Sequence, residues 1–101
     1  MNVGNLYQTK KFYWMLFPTK DIAVHAEYGP NIVAHSAKIA DRYSEYWNRN
    51  LGCKVSYLNA SSIFMLLEQT GTFSKVLSTN GEVGWIIFVG WYRDDIEEVK
   101  V

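Results

Sequence analysis

Residues 61–88, SSIFMLLEQTGTFSKVLSTNGEVGWIIF, read as three short strands joined by two tight turns, and this reading decides the fold. The sharpest signal is Asn80-Gly81 between two alternating runs. Asn-Gly suits a type I′ hairpin, in which both central residues take φ > 0. Before the turn, Phe73, Lys75 and Leu77 fall on one face and Ser74, Val76 and Ser78 on the other. After it, Val83, Trp85 and Ile87 alternate with Gly84, Ile86 and Phe88. Strand side chains alternate with period two, so one side of the hairpin is patterned for a core. Residues 63–67 are apolar on both faces and predict a central strand, with Gly71 in the turn that leads to Phe73.

Moving toward the N-terminus, residues 54–58 alternate Val55 and Tyr57 with Ser56 and Leu58 and predict a short strand. Residues 31–51 predict the one substantial helix. Ile32, Ile39, Tyr43, Tyr46 and Trp47 fall near a helical stripe, Asn31 is the expected N-cap, and Gly52 suits the C′ position. Asp21 is expected to cap a short turn through Glu27, before Gly29-Pro30 breaks the chain. Residues 4–17 predict an aromatic-rich β segment, and the run 12–17 is apolar at every position, as in a strand covered on both faces. Pro18 ends it. Beyond Phe88, Gly90 allows a break, Trp91 and Tyr92 fit neither period, and residues 95–101 predict a charged edge strand. The chain therefore reads as one domain, residues 1–101, with residues 18–53 as a helix-containing insertion.

A 101-residue chain with 49% hydrophobic residues builds its core without disulfides or metal. Ten basic and ten acidic residues give a net charge of zero. That argues against nucleic acid as a partner, because phosphate neutralisation needs a basic surplus. The same balance removes a barrier to self-association. Cys53 is the only cysteine and has no internal partner, which fits a reducing compartment. No apolar run reaches membrane-helix length, and MNVGNLYQTKK lacks the order of a signal peptide. A cytoplasmic protein with no membrane partner is expected, and no motif calls for a cofactor.

From Lys54 onward the chain resembles a bacterial SH3 domain. The likeness rests on Phe73-Ser74-Lys75-Val76 and on Gly81-Glu82-Val83-Gly84-Trp85-Ile86, which resemble the Lys-Val pair and the Gly-x-x-Gly-Trp-Ile segment of that family. It covers about a third of the chain. The first strand lacks the family's arginine-containing segment, and residues 18–53 have no counterpart in it. In overall style the chain also resembles small orphan proteins of marine phages and cyanobacteria, although no motif carries that likeness. The SH3 resemblance implies a mainly β fold, a small barrel of five to six short strands, with one helix in the insertion. It also implies that Gly84 keeps its strand thin where the barrel bends.

For chemistry, Cys53, His25 and His35 are the only thiol and imidazoles. A Cys/His hydrolase needs them within hydrogen-bond reach, yet Cys53 follows a helix C-terminus, where the dipole opposes a thiolate. A small apolar thiol and two surface imidazoles are the preferred reading. No metal-ligand spacing occurs, and the acidic group Asp94, Asp95, Glu97 and Glu98 reads as the solvated side of an edge strand. The aromatic content is high, at 16%. Tyr7, Tyr13, Trp91 and Tyr92 escape the core pattern and are the candidate binding residues for an extended peptide. A weaker alternative sets Lys10, Lys11, Lys54 and Lys75 on one face for single-stranded nucleic acid. The expected function is a non-enzymatic module that binds protein or peptide, itself included, with edge strands at both termini available for self-association.

Overall fold

In the computed structural model the chain forms two antiparallel sheets and two helices; every residue is described except Tyr28, Pro30, Val89 and Val101, and of Trp91 only the backbone. In chain order the elements are β1 (Leu6–Thr9), β2 (Tyr13–Leu16), α1 (Lys20–Ala26), β3 (Val33–Ala34), α2 (Ala37–Leu51) and β4 (Ser56–Leu58). They are followed by β5 (Ile63–Thr70), β6 (Phe73–Ser78), β7 (Val83–Ile87), a 3₁₀ helix (Gly90–Asp95) and β8 (Ile96–Glu98). The first sheet runs β7-β6-β5-β1-β8 and the second β3-β2-β4. The fold is mainly β, with more strands and one more helix than expected.

The hairpin register follows the alternation. Phe73 pairs with Ile87, Lys75 with Trp85 and Leu77 with Val83. The type I′ turn does not form, because only Gly81 in that loop takes φ > 0, at 85°. Gly81 N–H donates to Ser78 O at 3.0 Å and Ser78 N–H to Glu82 O at 2.8 Å, which describes a three-residue loop with glycine in the left-handed position. The Ser78 hydroxyl and Asn80 carboxamide both accept from Glu82 N–H and stabilise this longer loop.

β2 is the strand on which the layers are stacked. Trp14 and Leu16 point into one core with Tyr7, Leu58, Phe64, Leu66, Val76, Ile86 and Ile96. Met15 and Phe17 point the other way, into a second core with Ala23, Ala26, Ala40, Trp47, Trp85 and Ile87 beneath the helices. The uninterrupted apolar run therefore has the expected cause: β2 is covered on both faces. The two sheets meet at the antiparallel bridge Phe17–Trp85, where each backbone N–H donates to the other's carbonyl, at 2.8 and 2.7 Å. Gly84 lies beside this crossing, where a Cβ would stand 2.5 Å from Leu16 Cγ and 3.0 Å from Phe17 O. Its role is close approach.

The N-terminal half differs most from the sequence reading. The segment 4–17 is two strands in different sheets, separated at Lys10–Phe12. The helix predicted from Asn31 begins at Ala37, with the Ser36 hydroxyl accepting from Ile39 N–H at 3.2 Å. Val33, a β-branched residue beside Ile32, pairs with Trp14 instead, and Ser36 supplies a better-placed cap. Gly52 takes the left-handed C-terminal position as expected, at φ 66°. The turn at Asp21 is a helix, α1, capped by Thr19 rather than Asp21. Of the terminal strands only β8 is an edge, because β1 lies between β5 and β8. Residues 10–62, which carry β2, α1, β3, α2 and β4, connect β1 to β5.

Ser74 is fully buried on the inner face of β6, and its hydroxyl has no hydrogen-bond partner among the described residues. An unsatisfied buried hydroxyl is costly. Ser74→Ala is expected to stabilise the fold by about 1 kcal/mol and to raise the melting temperature by roughly 4 °C, measured by calorimetry.

Candidate binding cleft

The site begins with a carboxylate. Asp95, 5% exposed at the end of the 3₁₀ helix, accepts hydrogen bonds from three donors that arrive from the corner between β1 and β2. Its Oδ1 receives Lys11 N–H at 2.6 Å and Phe12 N–H at 3.2 Å, and its Oδ2 receives the Trp14 indole N–H at 3.0 Å. The Asp95 carbonyl accepts from Lys10 N–H at 2.8 Å. A buried carboxylate requires such donors, and two backbone N–H groups with an indole provide them. The corner 10–12 is thereby clamped to the 3₁₀ helix.

The clamp holds two half-buried rings together. Phe12 and Tyr92 meet edge to face at 5.1 Å between centroids, and Trp14 supports Tyr92 from below at 6.3 Å. Arg93 lies over Phe88 at 5.2 Å. The rings, with Lys10, Lys11, Asp94 and Asp95, line a cleft of about 280 Å³. Its lining combines two aromatic rings with two lysines and two aspartates. Lys10 is partly neutralised by Glu97 at 3.2 Å.

Of the four candidate binding residues, the structure brings only Tyr92 to this cleft. Tyr7 is a core ring, 5% exposed and stacked on Phe64 at 5.9 Å. Tyr13 lies on the opposite side of β2 and packs edge to face on Tyr57 at 5.9 Å. The side chain of Trp91 lies outside the described residues. Phe12 and Asp95 were not singled out as binding residues, and Lys11 only for the single-stranded nucleic-acid alternative. Phe12 was hidden inside an apolar run, and nothing in the sequence separates Asp95 from its acidic neighbours. The acidic group is accordingly split: Asp94, Glu97 and Glu98 are exposed, whereas Asp95 is buried.

A second, more polar cleft of about 360 Å³ opens between α2, β4 and the Asn80 loop. Its side chains are committed to packing these elements together. Tyr57 OH donates to Asp41 at 2.6 Å, Ser56 OH to Glu82 at 2.8 Å, and Asn48 accepts from Val55 N–H at 2.5 Å. The hydrogen bond to Asp41 raises the Tyr57 pKa above its ordinary value, helped by desolvation and by the Asp41 charge. Cys53 is half-buried against the second core, His25 and His35 are exposed, and no hydrogen bond joins either imidazole to the thiol among the described residues. Lys10 and Lys11 line the aromatic cleft, Lys54 lines the polar one, and Lys75 pairs across strands with Trp85, so the four lysines do not gather. Among the described residues no cluster of three or more metal-ligating side chains occurs, and no helix is long and apolar enough to cross a membrane. Comparison of the chain with protein-family models, curated proteins and solved structures returns no match.

Proposed function

We propose that the chain is a non-enzymatic interaction module that holds an extended peptide across the Phe12–Tyr92 cleft. The observation that carries this reading is the clamped pair of half-buried rings, fixed by Asp95, in a cleft that Lys10, Lys11 and Asp94 also line. Rigid aromatic walls bind extended backbone at low entropic cost, and lysines and aspartates beside them offer partners to charged side chains of a peptide. The finer architecture proposed is an SH3-like barrel elaborated by residues 10–62. Support comes from the bend of β5 at its Leu66/Glu68 bulge, and from the approach of β2 to β7 at Gly84. The half-buried single thiol accords with a cytoplasmic setting.

The test is a screen of extended and proline-rich peptides, read by NMR shift perturbation on labelled protein. Shifts are expected to centre on Phe12 and Tyr92, and Tyr92→Ala is expected to weaken the best peptide at least about tenfold. Tyr7→Phe, which retains the buried ring, serves as the control and should bind normally. Perturbations centred elsewhere, or unchanged affinity in Tyr92→Ala, would discard the proposal.

A further inference from the structure

The polar cleft of about 360 Å³ is lined by side chains that spend only one polar atom each on packing. Asp41, Ser44 and Asn48 stand at i, i+3 and i+7 on one face of α2. Two of them grip the chain just before β4: the Ser44 hydroxyl donates to Val55 O, and Asn48 Oδ1 accepts from Val55 N–H. Asp41 Oδ1 accepts from Tyr57 OH on β4. From the β6–β7 loop, Glu82 Oε1 accepts from the Ser56 hydroxyl, and Asn80 Oδ1 accepts from Glu82 N–H at 3.2 Å. Each bond uses one end of a planar group and leaves the other. Asp41 Oδ2, Glu82 Oε2, Asn48 Nδ2 and Asn80 Nδ2 make no hydrogen bond among the described residues. A backbone N–H must meet an amide oxygen, so the uncommitted ends of Asn48 and Asn80 are donors. A smaller cleft of about 160 Å³ shares Tyr57, Asn59, Asn80 and Glu82 with this one.

We propose that this cleft binds a neutral saccharide. The mixture of uncommitted groups selects the class. A metal cation would meet two amide donors and the Lys54 ammonium, and an anion would meet the Asp41 and Glu82 carboxylates. An apolar ligand would strip water from four polar ends and return nothing to them. A sugar hydroxyl donates one hydrogen bond and accepts others, so it donates to Asp41 or Glu82 and accepts from Asn48 or Asn80. The half-buried Tyr57 ring lines both clefts and supplies apolar surface for the C–H side of a sugar ring. The larger cleft falls within the range of small-ligand sites, roughly 300–1,000 Å³. Its planar groups are already oriented by their internal bonds, so little side-chain freedom is lost on binding. The site shares no residue with the peptide cleft and stands independently of it.

The test titrates glucose, galactose, mannose, N-acetylglucosamine and their disaccharides into isotope-labelled protein, followed by NMR. At least one sugar is expected to shift the side-chain amide signals of Asn48 and Asn80, with Kd on the order of 1–10 mM. Two near-isosteric variants keep the fold and change only the free end. Asn48→Asp retains an acceptor for Val55 N–H, and Asn80→Asp retains one for Glu82 N–H, while each replaces a donor by an oxygen. A hydroxyl whose proton already serves Asp41 or Glu82 has nothing to give that oxygen. Each variant should keep the wild-type pattern of backbone signals and bind the best sugar at least about fivefold more weakly. Glucose 6-phosphate and calcium chloride, run as the anionic and cationic probes, should leave these signals unshifted at the same concentrations. Absence of shifts with every sugar, unchanged affinity in both variants, or a response to either charged probe that exceeds the sugars would overturn the proposal.

Discussion

Asp95→Ala is expected to unfold the domain or to bring it close to unfolding, with a loss of about 3–5 kcal/mol measured by chemical denaturation. The magnitude follows from what remains behind. The variant strands the Trp14 indole N–H inside a core in which Trp14 is fully buried, and frees the N–H groups of Lys11 and Phe12. Buried donors without acceptors cost far more than the net worth of the bonds they formed. Asp94→Ala, one residue away and exposed, should shift stability by no more than about 0.5 kcal/mol. Equal effects at both positions would show that the clamp does not hold the corner. Asp95→Asn separates geometry from charge: with its oxygen at the Oδ1 position it still accepts from Lys11 and Phe12 N–H but turns an amide N–H toward the Trp14 indole N–H, and should lie between wild type and Asp95→Ala.

Gly84→Ala should cost about 2–4 kcal/mol, a large penalty for one methyl group. Nothing in the backbone conformation forbids alanine, since Gly84 is not among the positive-φ glycines. The penalty is steric. The new carbon would lie 2.5 Å from Leu16 Cγ and 3.0 Å from the Phe17 carbonyl, and Phe17 is tied to Trp85 by paired backbone bonds. Leu16 can rotate only within a filled core, so β2 and β7 must separate. Leu16→Ala in the Gly84→Ala background should recover part of the loss, and a double-mutant cycle by thermal denaturation measures it. Strict additivity would show that the strain lies elsewhere.

The legible parts of the fold were those governed by local periodicity. The β6–β7 pairing, the doubly covered β2 and the glycine at the end of α2 follow from alternation, from an unbroken apolar run and from the φ preference of glycine. The start of α2 was misplaced because Ile32 and Val33 continue an apolar pattern that suits either helix or strand, and pairing with Trp14 decided between them. The Asn80 loop took its alternative form because Ser78 and Asn80 side chains bind its backbone, an interaction that turn statistics do not see. Of the candidate site, Tyr92 was legible as a peptide-binding residue, and Lys10 and Lys11 only within the nucleic-acid alternative. The tyrosines were grouped by chemistry, but the topology sent Tyr7 to one core and Tyr13 to the other side of β2. The role of Asp95 is wholly long-range, and the partners it meets at Lys11, Phe12 and Trp14 are fixed only when the 3₁₀ helix reaches the corner.

The position of β1 between β5 and β8 has a kinetic consequence. The β5–β6–β7 meander closes through tight turns and can form on the microsecond scale of hairpins. β1 must wait. Its partners on one side are Ile63, Phe64 and Met65, and on the other Ile96, Glu97 and Glu98, so the first ladder closes around β2 to β4 and the second around every element from β2 to the 3₁₀ helix. Closure entropy is spent before these distant contacts repay it, so the search is slow for a chain of this size. During synthesis β1 leaves the ribosome before both of its partners, β5 and β8. Until they emerge its inward-facing Tyr7 and the apolar Leu6 have no ladder to shelter them, which makes this short strand dependent on prompt arrival of β5 and β8.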